Sequence, residues 1–156
     1  LETPLTVRHL LEFRAGIVAE SDLGRLWTTR DIYAAEDSLG DRVNDILTVP
    51  LYEQPGQQWR YGWTADVLAR VVEVAAGRPF GDVVRAGILE PLGMSRTGFL
   101  GDSVAAGAPE ASMYTQDEDG DLVLVERPAS DAPEWTPGGS GLLSSAGDYM
   151  RFALML

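Results

Sequence analysis

Residues 50–99 read PLYEQPGQQWRYGWTADVLARVVEVAAGRPFGDVVRAGILEPLGMSRTGF, and this stretch decides how the chain folds. Pro55-Gly56 marks a turn, because proline fixes one backbone dihedral and glycine accepts a positive one. Thr64 is expected to cap a helix over Ala65 to Ala76, with Val67, Val71, Val74 and Ala75, flanked by Leu68 and Val72, forming a wide apolar stripe. Gly77 stands where a C′ glycine belongs, and Pro79 prevents continuation. A further helix is expected from Phe80 to Leu89, with Phe80, Val83, Val84 and Ile88 inward, stopped by Pro91. Tyr61 is thereby placed on a turn just ahead of the strongest helix in the chain.

Outward from this stretch the pattern stays helical. Thr6 caps a short helix expected to run through Phe13 and to end at Gly16. Thr28-Thr29 precede a second short helix, Asp31 to Asp37. Ser38 with Asp41 resembles a capping box, opening a helix that sets Leu39, Val43, Ile46 and Leu47 along one side before Pro50. Leu122 to Val125 reads as one strand of a small hairpin turned by Asp117 to Gly120. Ser145 with Asp148 again resembles a capping box, opening a helix with Tyr149, Phe152, Ala153 and Leu156 on one face. The expected class is mainly α with a small β hairpin.

Composition removes several functions. The 156 residues carry 24 acidic and 12 basic side chains, a net charge of −12 that disfavours a nucleic-acid partner. No apolar run approaches the ~18 residues that span a bilayer. The first residues, LETPLTVRHL, lack a charged start followed by an apolar core, so no signal peptide is visible and the compartment stays open. With no cysteine, disulfides and thiolate metal sites are excluded. The single histidine, His9, lies in an apolar helical pattern and is read as structural. A hydrolase of this composition has to find its base in tyrosine or lysine. All twelve basic residues are arginine, so that lysine is not within this sequence.

Tyr61 therefore has two readings. A phenol with a pKa of about 10 acts as a general base only where cations stabilise its anion. Arg60 is adjacent, but neighbouring side chains on an extended stretch point apart, so that cation would come from another segment. Alternatively Tyr61 belongs to an aromatic cluster with Trp59 and Trp63 that packs under the turn. Two further motifs are weak. Gly138-Gly139-Ser140-Gly141 lacks the lysine of a phosphate loop, and Leu142 stands where a nucleophile elbow needs glycine, leaving a tight turn. Asp117, Asp119, Gly120 and Glu126 fall at calcium-loop spacings, but Thr115 opens the loop and a strand follows, so a hairpin turn with solvated carboxylates is the better account.

The ordered phrases Pro50-Leu51, Pro55-Gly56, Tyr61-Gly62-Trp63, Gly77-Arg78-Pro79-Phe80 and Glu90-Pro91-Leu92-Gly93-Met94 resemble the serine β-lactamase, penicillin-binding-protein and family VIII carboxylesterase group. Thr6 to Leu11 resembles that family's earlier helix, and Pro137 to Ser145 with Asp148-Tyr149 its glycine-rich return, so the resemblance covers essentially the whole chain. It implies the helical subdomain of an α+β fold of the DD-peptidase type. It also implies acyl-transfer chemistry, in which a serine from Ser-x-x-Lys attacks a carbonyl and a tyrosine moves protons with the lysine. Tyr61 matches that tyrosine and is the catalytic candidate; Gly62 and Trp63 are the substrate-binding candidates. The substrate implied is a small ester or β-lactam-like amide, with no cofactor and no metal.

The Ser-x-x-Lys and sheet motifs are expected outside residues 1–156, which makes this an internal segment, inactive alone. Two departures stand out. Trp63 replaces the asparagine of Tyr-x-Asn, which shifts the expected substrate toward esters, although Trp63 equally suits a core position. The family's Leu-Leu-Thr-His-Thr-Ser-Gly is here Leu10-Leu11-Glu12-Phe13-Arg14-Ala15-Gly16, without its polar side chains. Those departures support an alternative, a non-catalytic scaffold of the same fold. A D-amino-acid peptidase or DD-carboxypeptidase differs only in substrate.

Overall fold

The computed structural model describes residues 2–18, 38–102, 111–125 and 135–156. The expected helix over 31–37 and the calcium-loop position Glu126 lie outside them. Helix α1, Val7–Leu11, opens as expected, with the Thr6 hydroxyl accepting the His9 N–H at 3.3 Å. It closes two residues early. Phe13 takes a left-handed conformation, φ 53°, and the Phe13 and Arg14 amides bond back to the carbonyls of Leu10 (3.1 Å) and His9 (2.8 Å). That pair of bonds is a Schellman closure with phenylalanine where glycine is usual.

Helix α2, Leu39–Thr48, carries the full capping box between Ser38 and Asp41. The hydrogen bonds from Ser38 hold the Asp41 carboxyl below its ordinary range. Leu39, Val43 and Ile46 are buried; Leu47 is not, since it turns a quarter of the way round the helix to solvent. Helix α3, Thr64–Ala76, starts one residue earlier than the sequence implies. Trp63 (φ −72°, ψ 17°) takes the N-cap place with no side-chain cap bond, so Thr64 sits in the first turn, fully buried, and its hydroxyl caps nothing. Only the first half of the apolar stripe is used: Val67 and Ala69 are buried, whereas Val74 remains 67% exposed. Gly77 closes the helix at φ 66°, and Glu73 accepts the Phe80 N–H at 2.9 Å, tying down the junction to the next helix.

Helix α4, Phe80–Val84, runs into a π-helical turn, Arg85–Leu89, in which the Glu90 N–H reaches the Arg85 carbonyl at 2.9 Å. The single helix expected over 80–89 is thus two kinds of helix. Two antiparallel pairs follow. β1, Gly98–Phe99, pairs with β4, Leu142–Leu143, a contact the sequence did not announce. β2, Met113–Gln116, and β3, Leu122–Val125, form the expected hairpin, with Met113 opposite Val125 and Gln116 opposite Leu122. Asp117 accepts the Asp119 and Asp121 amides at 3.0 and 2.9 Å, so its carboxylate shapes the turn.

Helix α5, Ala146–Met155, keeps half of its expected capping box. Ser145 accepts the Asp148 N–H, but the Asp148 carboxylate, 1% exposed, turns away to the Arg96 N–H (2.7 Å) and the Thr97 hydroxyl (3.0 Å). Burial alone would raise the Asp148 pKa; those hydrogen bonds and the Arg151 charge outweigh it and hold it below the usual carboxylate range. The core lies where α1, α2 and α3 meet. Leu10, Ala15, Ile17, Leu39, Val43, Ile46, Val67 and Ala69 form one buried cluster, with Leu51, Trp63, Phe80 and Trp135 packed on it. Among the described residues helix outweighs strand, which is confined to the small hairpin and one further strand pair.

Candidate active site

Tyr61 owes its position to backbone bonds between two loops. The loop after α1 and the stretch 52–60 are laced together. The Tyr52 N–H donates to the Gly16 carbonyl at 2.9 Å, the Gly56 N–H to Arg14 at 2.8 Å, and the Arg60 N–H to Phe13 at 2.8 Å. Arg14 adds its guanidinium, which donates to the carbonyls of Gly56 and Gln57. The polar side chains missing from the family phrase at 12–15 are therefore replaced here by one arginine that holds the opposite turn. His9 packs behind the same turn, its Nε2 about 3.2 Å from where a side chain at Gly56 would begin.

Arg60 is directed away from Tyr61. Its guanidinium forms a bidentate pair with Glu53 at 3.0–3.2 Å and lies 4.0 Å over the Tyr52 ring. This matches the sequence argument that Arg60 does not serve as the phenol's cation. Tyr61 itself is 66% exposed, with one face stacked on Phe13 at 6.1 Å between centroids and 12° between planes. Phe13 also meets Trp59, at 6.3 Å.

Gly62 fits because it has no side chain. A Cβ there would lie 2.7 Å from the Val18 Cα and carbonyl carbon and would strike the Ile17 carbonyl. Trp63 is half-buried, packs against the core cluster and carries the Arg42 guanidinium 4.5 Å from its ring centroid. Of the three candidates, Tyr61 thus projects outward, Gly62 is the close-approach point, and Trp63 is set into the body.

One anchor was missed in the sequence. Asp66, 4% exposed in the first turn of α3, accepts the Gly138 N–H at 2.9 Å and the Gly139 N–H at 3.3 Å. An acid at that position reads as an ordinary first-turn residue that favours the helix dipole. What it does instead is hold the glycine-rich loop against α3. A Cβ at Gly138 would strike the Ala65 carbonyl, 2.8 Å from its carbon, so helix and loop touch backbone to backbone. That loop, with Phe80, Val84 and Phe99, lines a cleft of about 330 Å³. Among the described residues no helix is long and apolar enough to cross a membrane.

The family model described as Beta-lactamase matches residues 2–156, and the chain belongs to that family. It is 35% identical over 113 residues to Protein Rv1367c of Mycobacterium tuberculosis, covering 71% of this chain and 28% of that protein. Against Esterase EstB of Burkholderia gladioli it is 33% identical over 105 residues, covering 64% of this chain and 27% of the esterase. The structure is similar to that of a simvastatin synthase (LovD) mutant from Aspergillus terreus, with a TM-score of 0.73 and 26% identity, over 96% of this chain and 36% of that one. The chain thus spans between about a fifth and little more than a quarter of the length of the curated relatives it matches. The fold is that of the β-lactamases and penicillin-binding proteins.

Proposed function

We propose that these residues are the helical, tyrosine-bearing part of a serine hydrolase that works through an acyl-enzyme, with carboxylic esters as its substrate class. The observation that carries this reading is Tyr61: a phenol held outward beside a turn tied by three backbone bonds to the loop after α1, in a chain of the Beta-lactamase family, within a phrase that resembles that family's tyrosine motif. The nucleophile and its lysine are assigned to a segment beyond these 156 residues, since the sequence contains no lysine.

In this mechanism a serine Oγ attacks the ester carbonyl carbon while its proton passes to the Tyr61 oxygen, whose anion the lysine's charge stabilises. Tyr61 then returns the proton to the departing alkoxide, so an alcohol leaves and an acyl-serine remains. Water adds to that acyl group with Tyr61 again taking the proton, which then passes to the departing serine Oγ as the acyl–Oγ bond breaks, releasing a carboxylic acid and restoring the serine. Gly62 keeps the backbone beside the phenol free of a side chain, and the exposed part of Trp63 lines the substrate wall. With an indole in place of an amide at 63, and its Nε1 buried, this wall offers apolar surface instead of an amide donor and acceptor, which suits an ester better than an amide-flanked β-lactam. The likeness to Esterase EstB supports the same substrate class.

In the complete protein, Tyr61→Phe is expected to reduce turnover of a p-nitrophenyl ester about 100-fold or more, on the ~10²–10⁴ scale of proton-transfer catalysis. A fluorophosphonate probe read by intact mass is expected to label the complete protein and to leave residues 1–156 unmodified. Near-normal turnover of the variant removes Tyr61 from the mechanism. An unlabelled complete protein instead supports the non-catalytic scaffold.

A further inference from the structure

Phe13 is the one non-glycine among the described residues with a positive φ, 53°. A bulky side chain in that region is an outlier, and such conformations persist only where the surroundings hold them. Core packing does not account for it. Phe13 is absent from the buried cluster, and the two rings it touches, Trp59 and Tyr61, are each 66% exposed. What the conformation does achieve is a two-point grip on one residue. The Phe13 carbonyl accepts the Arg60 N–H at 2.8 Å, fixing the backbone next to Tyr61, and the Phe13 ring lies nearly parallel to the phenol at 6.1 Å. In a helical continuation the ring and the carbonyl would both be directed elsewhere, so the left-handed closure of α1 is what brings them to Tyr61.

We propose that Phe13 is a positioning residue for Tyr61, limiting the rotation of an otherwise exposed phenol so that its oxygen stays in line for proton transfer. This rests on the proposed role of Tyr61. An aromatic pair of this geometry biases a ring's orientation by about 3- to 10-fold, and proton transfer needs its heavy atoms within hydrogen-bond reach.

The test is a double-mutant cycle in the complete protein with a p-nitrophenyl ester as substrate. Phe13→Leu is expected to lower kcat about 3- to 10-fold with KM nearly unchanged, and Phe13→Tyr, which keeps the ring, to restore kcat. In a Tyr61→Phe background, Phe13→Leu should cause no further loss, because the proton-transfer group it orients is gone. Should Phe13→Leu fail to fold, Phe13→Gly takes its place, since glycine removes the ring and adopts a positive φ without steric cost. Equal losses in both backgrounds would make Phe13 a structural residue and overturn the proposal. So would an unchanged kcat for Phe13→Leu alongside a strongly impaired Tyr61→Phe. Near-normal turnover of Tyr61→Phe alone removes the reading beneath the proposal, and the proposal with it.

Discussion

Gly62→Ala tests the geometry at the site most directly, because it adds one methyl group at the residue that follows Tyr61. The new Cβ would stand 2.7 Å from both the Val18 Cα and the Val18 carbonyl carbon, with the Ile17 carbonyl oxygen nearer still. Carbon atoms rest at about 3.5–4.0 Å, so one of the two backbones has to retreat by about 1 Å. Neither retreats freely. Ile17 and Val18 are buried, and the 52–60 turn is bonded to Phe13, Arg14 and Gly16. Overpacking of this kind costs about 1–3 kcal/mol. A displacement near 1 Å at a group that transfers a proton can cost about 100-fold in rate. The variant of the complete protein should therefore show a lowered urea midpoint and an ester kcat reduced by about 10- to 100-fold. A variant with the parent's midpoint and the parent's kcat would refute the claim that close approach at 17–18 fixes Tyr61. A lowered midpoint with normal kcat would separate stability from positioning and count against the site argument alone.

The other expectations concern the supports of the site. Asp66→Ala leaves the Gly138 and Gly139 amides without their acceptor, which should cost about 1–3 kcal/mol in urea unfolding and speed amide exchange at 137–141. Unchanged exchange there would mean that the loop is held by something else. Asp148 is held below the usual aspartate range, so the stability it contributes is complete above about pH 4 and is lost as pH falls through its lowered folded value. Asp148→Asn should flatten the acid limb of a melting-temperature profile below about pH 4; an identical limb in parent and variant would assign that limb to other carboxylates.

How far the sequence reached depended on how local each signal was. The Ser38–Asp41 box, the Gly77 stop and the Asp117–Gly120 hairpin each involve residues within a few positions, and all three stand as read. The stripe on α3 was read only in part, because periodicity says which side is apolar but not how much of that side a neighbour covers; Val74 is left in solvent. Thr64 misled for a related reason. A threonine ahead of an apolar run has the composition of a cap, yet its burial under the Trp63 turn takes the hydroxyl away from the first amides. At the site, Tyr61 and Gly62 could be named from the family phrase. Phe13, Arg14 and Asp66 could not, since their partners lie about 40 to 70 positions away.

The tethering also explains how the 12–16 loop can depart from the family phrase and still serve the turn that carries Tyr61. Its three bonds to 52–60 run between main-chain atoms, and main-chain bonds do not depend on which side chains the loop displays. Side-chain identity is constrained where backbones touch and where the loop enters the core, as at Ala15. A Cβ on Gly16, already at φ 74°, would meet the Glu53 carbonyl, and one on Gly62 would meet residues 17–18. Gly16, just before Ile17, and Gly62, just after Tyr61, are therefore the expected points of intolerance, and Ala15 is limited by its place in the buried core, whereas the exposed Glu12 is free to change at little cost to Tyr61. Arg14 falls between these cases: its carbonyl would survive substitution, but the two carbonyls at 56–57 would lose a charged donor. The phenol's position is in this sense written in glycines and carbonyls. A loop that looks degraded by its side chains can on that account hold the proposed catalytic tyrosine in place.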